Sequence, residues 1–250
     1  MDVALSHTLY MSFTQKKESI VSRKQQGFTL IEIAIVLVII GLLLGGVLKG
    51  QELIQSARVR NLISQQDGTK AAYFGFLDRF RALPGDYSQA NPNIANVAAG
   101  SNGNNNGRIE AIAGGGTIDE HIAAWEHLSK AGFINGSFTY AVVPETTATA
   151  PTNPYARYLR VIYDAVYGTG AGAARHNLKT GNQIPSDIMA EIDRKIDDGN
   201  PVGGTFQFST YDGGGTGGVA PVGGAANQCY TGTAWSSATV DTNCGGASLF

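Results

Sequence analysis

Apolar residues run almost unbroken over positions 28–48, and no other stretch of the chain is apolar for so long. About 21 residues at 1.5 Å each span about 30 Å, the hydrocarbon thickness of a bilayer. One charge, Glu32, interrupts the run. A carboxylate costs about 2.5–3.5 kcal/mol at the centre of a membrane helix and less near an end. Glu32 is therefore either tolerated close to the interface or kept for a function that gives it a partner. Gly41 with Gly45, and Gly46 with Gly50, recur at spacing four, which lets membrane helices approach closely. After Lys49 the pattern changes from apolar all round to striped. Leu53, Ala57, Leu62, Thr69, Tyr73, Phe76 and Phe80 fall near one face, with Ile54, Ile63 and Leu77 beside them. That is the three-and-four spacing of an amphipathic helix. Pro84-Gly85 ends it. The pattern predicts one helix over 28–82, about 55 residues and about 80 Å long, weakened locally by Gly68 and Gly75.

The remainder is shorter in period. Residues 84–116 read as a long loop, with Pro-Gly-Asp-Tyr, then Asn91-Pro92, then Ser-Asn-Gly-Asn-Asn-Asn-Gly. Residues 118–133 form an amphipathic helix with Ile122, Trp125, Leu128 and Ala131 on one face, Thr117 as its expected cap and Gly132 at its end. Phe-Thr-Tyr-Ala-Val-Val at 138–143 and Tyr-Leu-Arg-Val-Ile-Tyr at 158–163 read as strands. A second short helix is expected over 185–196, capped by Ser186, with Ile188, Met189, Ile192 and Ile196 inward and Gly199 near its end. Residues 205–210 are a further strand candidate.

Composition sharpens this picture. The 33 glycines among 250 residues are nearly twice the usual share of about 7%, and they crowd the second half, so turns are many there. A net charge of −2, with no basic patch among aromatics, gives no reason to expect nucleic acid. Lys16, Lys17, Arg23 and Lys24 outweigh Asp2 and Glu18 ahead of the apolar run. Such a basic flank stays cytoplasmic. Residues 1–27 thus read as a leader, with Met11 as an alternative start. It is not a standard secretory signal, because the apolar run is too long and no small-x-small cleavage site follows. Cys229 and Cys244 are the only cysteines. In a reducing cytosol they would be inert thiols; beyond a membrane span they meet an oxidising compartment, which favours a disulfide.

Candidate chemistry is sparse. Asn102, Asn104, Asn106 and Glu110 follow the alternation of a calcium loop, but asparagine stands where such loops use aspartate. A solvated turn is the better reading, with calcium kept as the alternative. His121 and His127 are six apart and do not share a helix face as metal ligands at spacing four would. Asp197-Asp198 before Gly-Asn-Pro is a turn former. No nucleophile elbow, phosphate loop, His-Glu-x-x-His or Cys-x-x-Cys is present, and a signal-anchored enzyme is disfavoured.

Gln26-Gly27-Phe28-Thr29-Leu30-Ile31-Glu32, with the apolar run after it, resembles the start of type IV pilins and type II secretion pseudopilins. The resemblance covers about residues 25–60. It implies cleavage between Gly27 and Phe28 by a prepilin peptidase, which also methylates the new amine of Phe28. It implies that Glu32 pairs with the free N-terminal amine of a neighbouring subunit during assembly. Further on, Leu-Pro-Gly-Asp, the Asn/Gly-rich loop, Trp-Glu-His-Leu and Ile-Asp-Arg-Lys-Ile-Asp-Asp-Gly are similar to a group of pilin-like proteins, and the cysteine pair to the disulfide-closed loop of many pilins. Unlike many pilins, the chain has no proline between Phe28 and Leu83, so any unwinding would use Gly41, Gly45, Gly46 or Gly50.

The expected fold is α+β and type IV pilin-like. After a leader over 1–27 comes a long helix over 28–83, transmembrane over 28–48, and then a globular domain over 84–250 with an antiparallel sheet of three to five strands. The expected function is structural, without a cofactor. The chain would join itself or other pilins in a helical filament, with an inner-membrane platform and a cytoplasmic ATPase driving extraction. The precursor would sit in the bacterial inner membrane with its globular part periplasmic, and the filament at the cell surface or in the periplasm. The alternatives are a secretion pseudopilin and a membrane-anchored periplasmic binding or adhesion module.

Overall fold

The computed structural model describes residues 27–112, 118–142 and 144–250. The leader before Gly27, Thr117 and Val143 lie outside them. The chain divides into two units between Lys49 and Gly50. Helix α1, Leu30–Phe80, contributes to both. Up to Lys49 every described residue is exposed.

In the second unit α1 buries Val59, Leu62, Gln66, Thr69, Ala72, Tyr73 and Phe76. These recur at three- and four-residue steps on one face, so the expected stripe is present. It starts later than the pattern predicts: Leu53 and Ile54 are exposed and Val59 is the first core contact. Apolarity alone does not decide burial where no second element lies opposite. The helix ends at Arg81, whose φ is 54° and whose N–H donates to Leu77 O at 2.9 Å. Pro84 follows, which cannot continue a helix.

A one-turn helix, α2 (Ala90–Asn93), and a 3₁₀ turn (Ala99–Ser101) lie in the long loop. Helix α3 (Glu120–Lys130) follows, then β1 (Arg160–Asp164), β2 (Arg175–Lys179), α4 (Ser186–Ile196), β3 (Phe206–Phe208), β4 (Tyr230–Thr231), β5 (Ala234–Trp235) and β6 (Gly246–Leu249). The main sheet has the order β1-β2-β6-β3 and is antiparallel throughout; β4 and β5 form a separate hairpin. The register aligns Val161, Leu178, Ser248 and Phe206 in one row, all fully buried. Partners across a sheet share a face, and this one carries the core. Towards β1, Val161 and Leu178 pack with Tyr73, Phe76, Trp125 and Leu128. Towards β3, Phe206 packs with Val59, Leu62, Ile188, Met189 and Ile192. Truncating Phe76, wholly buried, to alanine is a change that costs about 3–5 kcal/mol.

Several sequence expectations need correction. Residues 138–142 form no strand: Thr139 N–H reaches Ala148 O, but no strand lies alongside, and β propensity needs a neighbour to act on. Ser186 does not cap α4. Pro185 occupies the cap position, and the Ser186 hydroxyl donates to Ser236 O and accepts from Asp241 N–H. Strands β2 and β6 were invisible to the apolar pattern. Arg-His-Asn-Leu-Lys is mostly polar, and Gly-Ala-Ser-Leu is small because a Cβ at Gly246 would lie 2.5 Å from the Phe206 ring and 2.6 Å from Met189 Cε.

The opposite face of the sheet is polar and covered by loops. Glu145 and Arg160 pair there: Arg160 Nε donates to Glu145 Oε1 at 2.6 Å, and Tyr211 O–H donates to the same oxygen at 3.1 Å. Burial is the largest single influence and raises the Glu145 pKa, but Arg160, a backbone hydrogen bond and His121 together outweigh it and hold the carboxyl below its ordinary value. Lys179, 2% exposed, donates to Asp164 Oδ1 at 3.0 Å and to Val166 O at 2.9 Å.

Cys229 and Cys244 are bonded, with Cα atoms 5.5 Å apart, and both are buried beside Tyr230, Trp235 and Ile184. The bridge closes a 15-residue span that carries the β4–β5 hairpin. Replacing both cysteines by serine is expected to cost about 3 kcal/mol on the chain-entropy account, read from urea denaturation at neutral pH. An unchanged midpoint would show that the hairpin is held by packing alone.

A second prediction concerns acid. His121 and His127 are both pushed down to about 4, chiefly by burial, from an ordinary value of 6.5. The unfolded chain therefore takes up protons first, and stability falls as pH drops from about 6.5 to about 4. Glu120 acts oppositely. Burial raises it to about 7 from 4.5, so its contribution is complete below 4.5 and is lost as pH rises through 7. Denaturation free energies measured from pH 7 to 4 should decline, His127→Gln should flatten the decline, and Glu120→Gln should steepen it.

Candidate functional site

The candidate site is the start of α1. Gly27, Phe28 and Thr29 precede the helix and are exposed, Phe28 at 84%. Thr29 holds the N-cap position, since Ile33 N–H donates to its carbonyl at 3.3 Å. Its hydroxyl accepts from Glu32 N–H at 3.3 Å. Glu32 reaches back, and its Oε2 accepts from Thr29 N–H and from the Thr29 hydroxyl, both at 2.8 Å. Threonine with glutamate three residues later is a capping box, which satisfies two of the backbone N–H groups a helix start leaves open.

Glu32 therefore has a partner inside its own chain. From the sequence, Glu32 is either tolerated near the interface or paired with another chain, and the partner on its own chain is an addition. The spacing Thr-x-x-Glu was the available signal for the cap. The other oxygen, Oε1, makes no hydrogen bond among the described residues. The carboxylate thus fixes where the helix begins and keeps one oxygen for a further donor. A carboxylate at a helix N-terminus is also favoured by the macrodipole.

The helix runs without a break through Gly41, Gly45, Gly46 and Gly50. A Cβ added at any of the four would meet nothing within 4 Å. Each pair, Gly41 with Gly45 and Gly46 with Gly50, leaves an open patch, and at 100° per residue the two pairs lie on different sides of the helix rather than on one stripe.

The calcium candidates are only partly brought together. Asn104 Oδ1 accepts from Asn106 N–H at 2.9 Å, and Asn106 Nδ2 donates to Glu110 Oε2 at 2.9 Å. Asn102 points elsewhere, accepting from Asn91 N–H at 2.8 Å. The loop closes instead on two acids the sequence reading passed over. Asp86 accepts from the N–H groups of Asn106 and Gly107 at 2.9 and 2.8 Å, and Glu120 from those of Asn104 and Glu110 at 3.1 and 3.0 Å. Burial raises both carboxyls despite these bonds.

Both ring nitrogens of His127 are engaged in hydrogen bonds. His127 Nδ1 accepts from Gly85 N–H at 2.9 Å, so Nε2 carries the proton and donates to Ser101 O at 2.8 Å. Gly85 sits at φ 88°, and a Cβ there would collide with Glu120 O. His121 Nε2 lies 3.6 Å from Glu145 Oε1. Asp193, Asp197 and Asp198 hold oxygens within 4.8 Å of one another, a spacing open to a cation. Each serves the fold: Asp193 accepts from Trp235 Nε1 at 2.6 Å, Asp197 from Phe206 N–H at 3.1 Å, and Asp198 from Asn200 N–H at 2.9 Å.

Comparison with known proteins agrees with the helix start. The family model of the prokaryotic N-terminal methylation motif matches residues 22–48. No curated protein and no solved structure matches the chain. The motif, the exposed Gly27-Phe28 step and the apolar helix after it mark a membrane-anchored precursor that carries the N-terminal signature of type IV pilins and pseudopilins.

Proposed function

We propose that this chain is a structural subunit of a type IV pilus or pilus-like filament, with no catalytic role. A prepilin peptidase cuts between Gly27 and Phe28 and methylates the Phe28 amine. The subunit waits in the inner membrane with its globular part in the periplasm. A platform protein and an ATPase then move it into a filament of itself or of other pilins.

The observation that carries this reading is the state of Glu32. It is the one charge in an apolar, exposed helical run, and its Oε1 makes no hydrogen bond among the described residues. In a permanent single-span anchor the carboxylate would serve only as a cap, a role a neutral glutamine also fills. A helix that leaves the bilayer to pack against copies of itself can pair it with the amine of a neighbour, which offsets the cost of burying both. The disulfide and the size of the globular unit favour a pilin, perforce one with a larger head than a minimal subunit, over a pseudopilin.

Two experiments test this. Mass spectrometry of the mature protein should find a chain that begins at methylated Phe28; a mature chain that still contains Lys24 overturns the processing route. Glu32→Gln separates the two roles of the carboxylate, because glutamine also serves in a capping box but carries no charge. Surface filaments, counted after shearing, should drop at least about tenfold. Normal filaments in Glu32→Gln would mean that the cap is the whole role, and the anchored binding module would then be the better reading.

A further inference from the structure

We propose that Asn135 is a self-modification site: the backbone nitrogen of Gly136 displaces its side-chain amide, and the residue becomes aspartate or isoaspartate without an enzyme. The chain has three Asn-Gly steps, Asn102-Gly103, Asn106-Gly107 and Asn135-Gly136. A glycine after asparagine leaves its backbone nitrogen unhindered, because no Cβ stands beside it. The three steps are alike in sequence, and only their surroundings separate them.

Two of them are locked. Gly103 is buried and its N–H donates to Tyr87 O at 3.1 Å, while Asn102 Oδ1 accepts from Asn91 N–H at 2.8 Å. Gly107 N–H donates to Asp86 Oδ2 at 2.8 Å, and Asn106 Nδ2 donates to Glu110 Oε2 at 2.9 Å. The attacking nitrogen must give up its proton and the amide must swing over it, so these hydrogen bonds have to break first. The third step is open. Asn135, Gly136 and Ser137 are all exposed. Neither the Asn135 amide nor the Gly136 N–H makes a hydrogen bond among the described residues. The loop is tied only to either side of the step. Phe133 N–H donates to Leu128 O at 2.9 Å, Lys130 Nζ to Ser137 Oγ at 3.0 Å, and Phe138 N–H to Ser129 Oγ at 3.3 Å. Gly136 holds a φ of 109°, so the turn that requires glycine also creates the reactive step.

Water is the only co-reactant. The Gly136 nitrogen bonds to Asn135 Cγ, the Cγ–Nδ2 bond breaks, and ammonia leaves with the proton of the backbone amide. A five-membered imide remains. Water opens it at Cγ to give aspartate, or at the main-chain carbonyl carbon to give isoaspartate, whose backbone runs through Cγ. Lys130 is the only charge between Ser129 and Val142, so the new carboxylate turns this stretch of surface from positive to neutral.

The test is to hold the full-length protein in detergent micelles in mildly alkaline buffer, withdraw samples over days, and digest and weigh the peptides, with fragmentation to assign the site. Asn135 should gain the mass difference between OH and NH₂ at least about tenfold faster than Asn102 or Asn106, and the product should include isoaspartate. In urea with a reductant, where the locking bonds are lost, the three steps should react at similar rates. Equal rates in the folded protein, a product that is aspartate alone, or an order of rates that persists in urea overturns the proposal.

Discussion

Seven side chains of α1, from Val59 to Phe76, hold the second unit together, and the rest of that unit is arranged around the face they present. At the Val59–Leu62 end the helix meets α4 and Phe206 of β3. At the Ala72–Phe76 end it meets α3, Val161 of β1 and Leu178 of β2. One helix thus spans two hydrophobic clusters that the sheet row Val161-Leu178-Ser248-Phe206 connects from the other side. The polar pair Gln66 and Thr69 lies in the stripe between these two ends. The apolar area gained on burial is the main favourable term, at about 25 cal/mol per Å², and it is available only because the stripe keeps its period over five turns.

The loops around this frame are long and rich in glycine, and buried polar groups fix them. Asp86, Glu120 and His127 between them accept or donate bonds to backbone groups of Gly85, Ser101, Asn104, Asn106, Gly107 and Glu110. The loop has few large apolar side chains to bury, so its backbone hydrogen bonds must be met by side chains reaching out from regular elements. The same logic covers the outer face of the sheet, where the guanidinium of Arg160 lies 4.2 Å from the centre of the Tyr211 ring and pairs with Glu145. Burying such groups is costly unless each is paired, which makes these networks sensitive to the loss of one member.

At the other end of α1 a single carboxylate serves two scales. Within the chain Glu32 closes a capping box with Thr29 and sets the first turn of the helix. In the proposed filament its remaining oxygen would receive the amine of a neighbouring chain. The two roles do not compete for the same oxygen, so the helix start need not come apart when a second chain arrives.

The sequence by itself determined the N-terminal methylation motif, the membrane-length run, the single long helix and its stripe, because each is written in residues adjacent or three and four apart. It also indicated α3, α4, β1, β3 and the cysteine pair, all within a few residues of their places. Only the tertiary structure decided where the stripe begins to pack, since Leu53 and Ile54 are as apolar as Val59 and differ only in having nothing opposite. It alone decided that 138–142 is not a strand and that Arg-His-Asn-Leu-Lys is one. A strand is made by its neighbours: β2 gains its place from β1 and β6 on either side, and its polar side chains from the acid and carbonyl groups that the covering loops bring to them. Those partners lie eleven or more residues away along the chain, where no local period can show them.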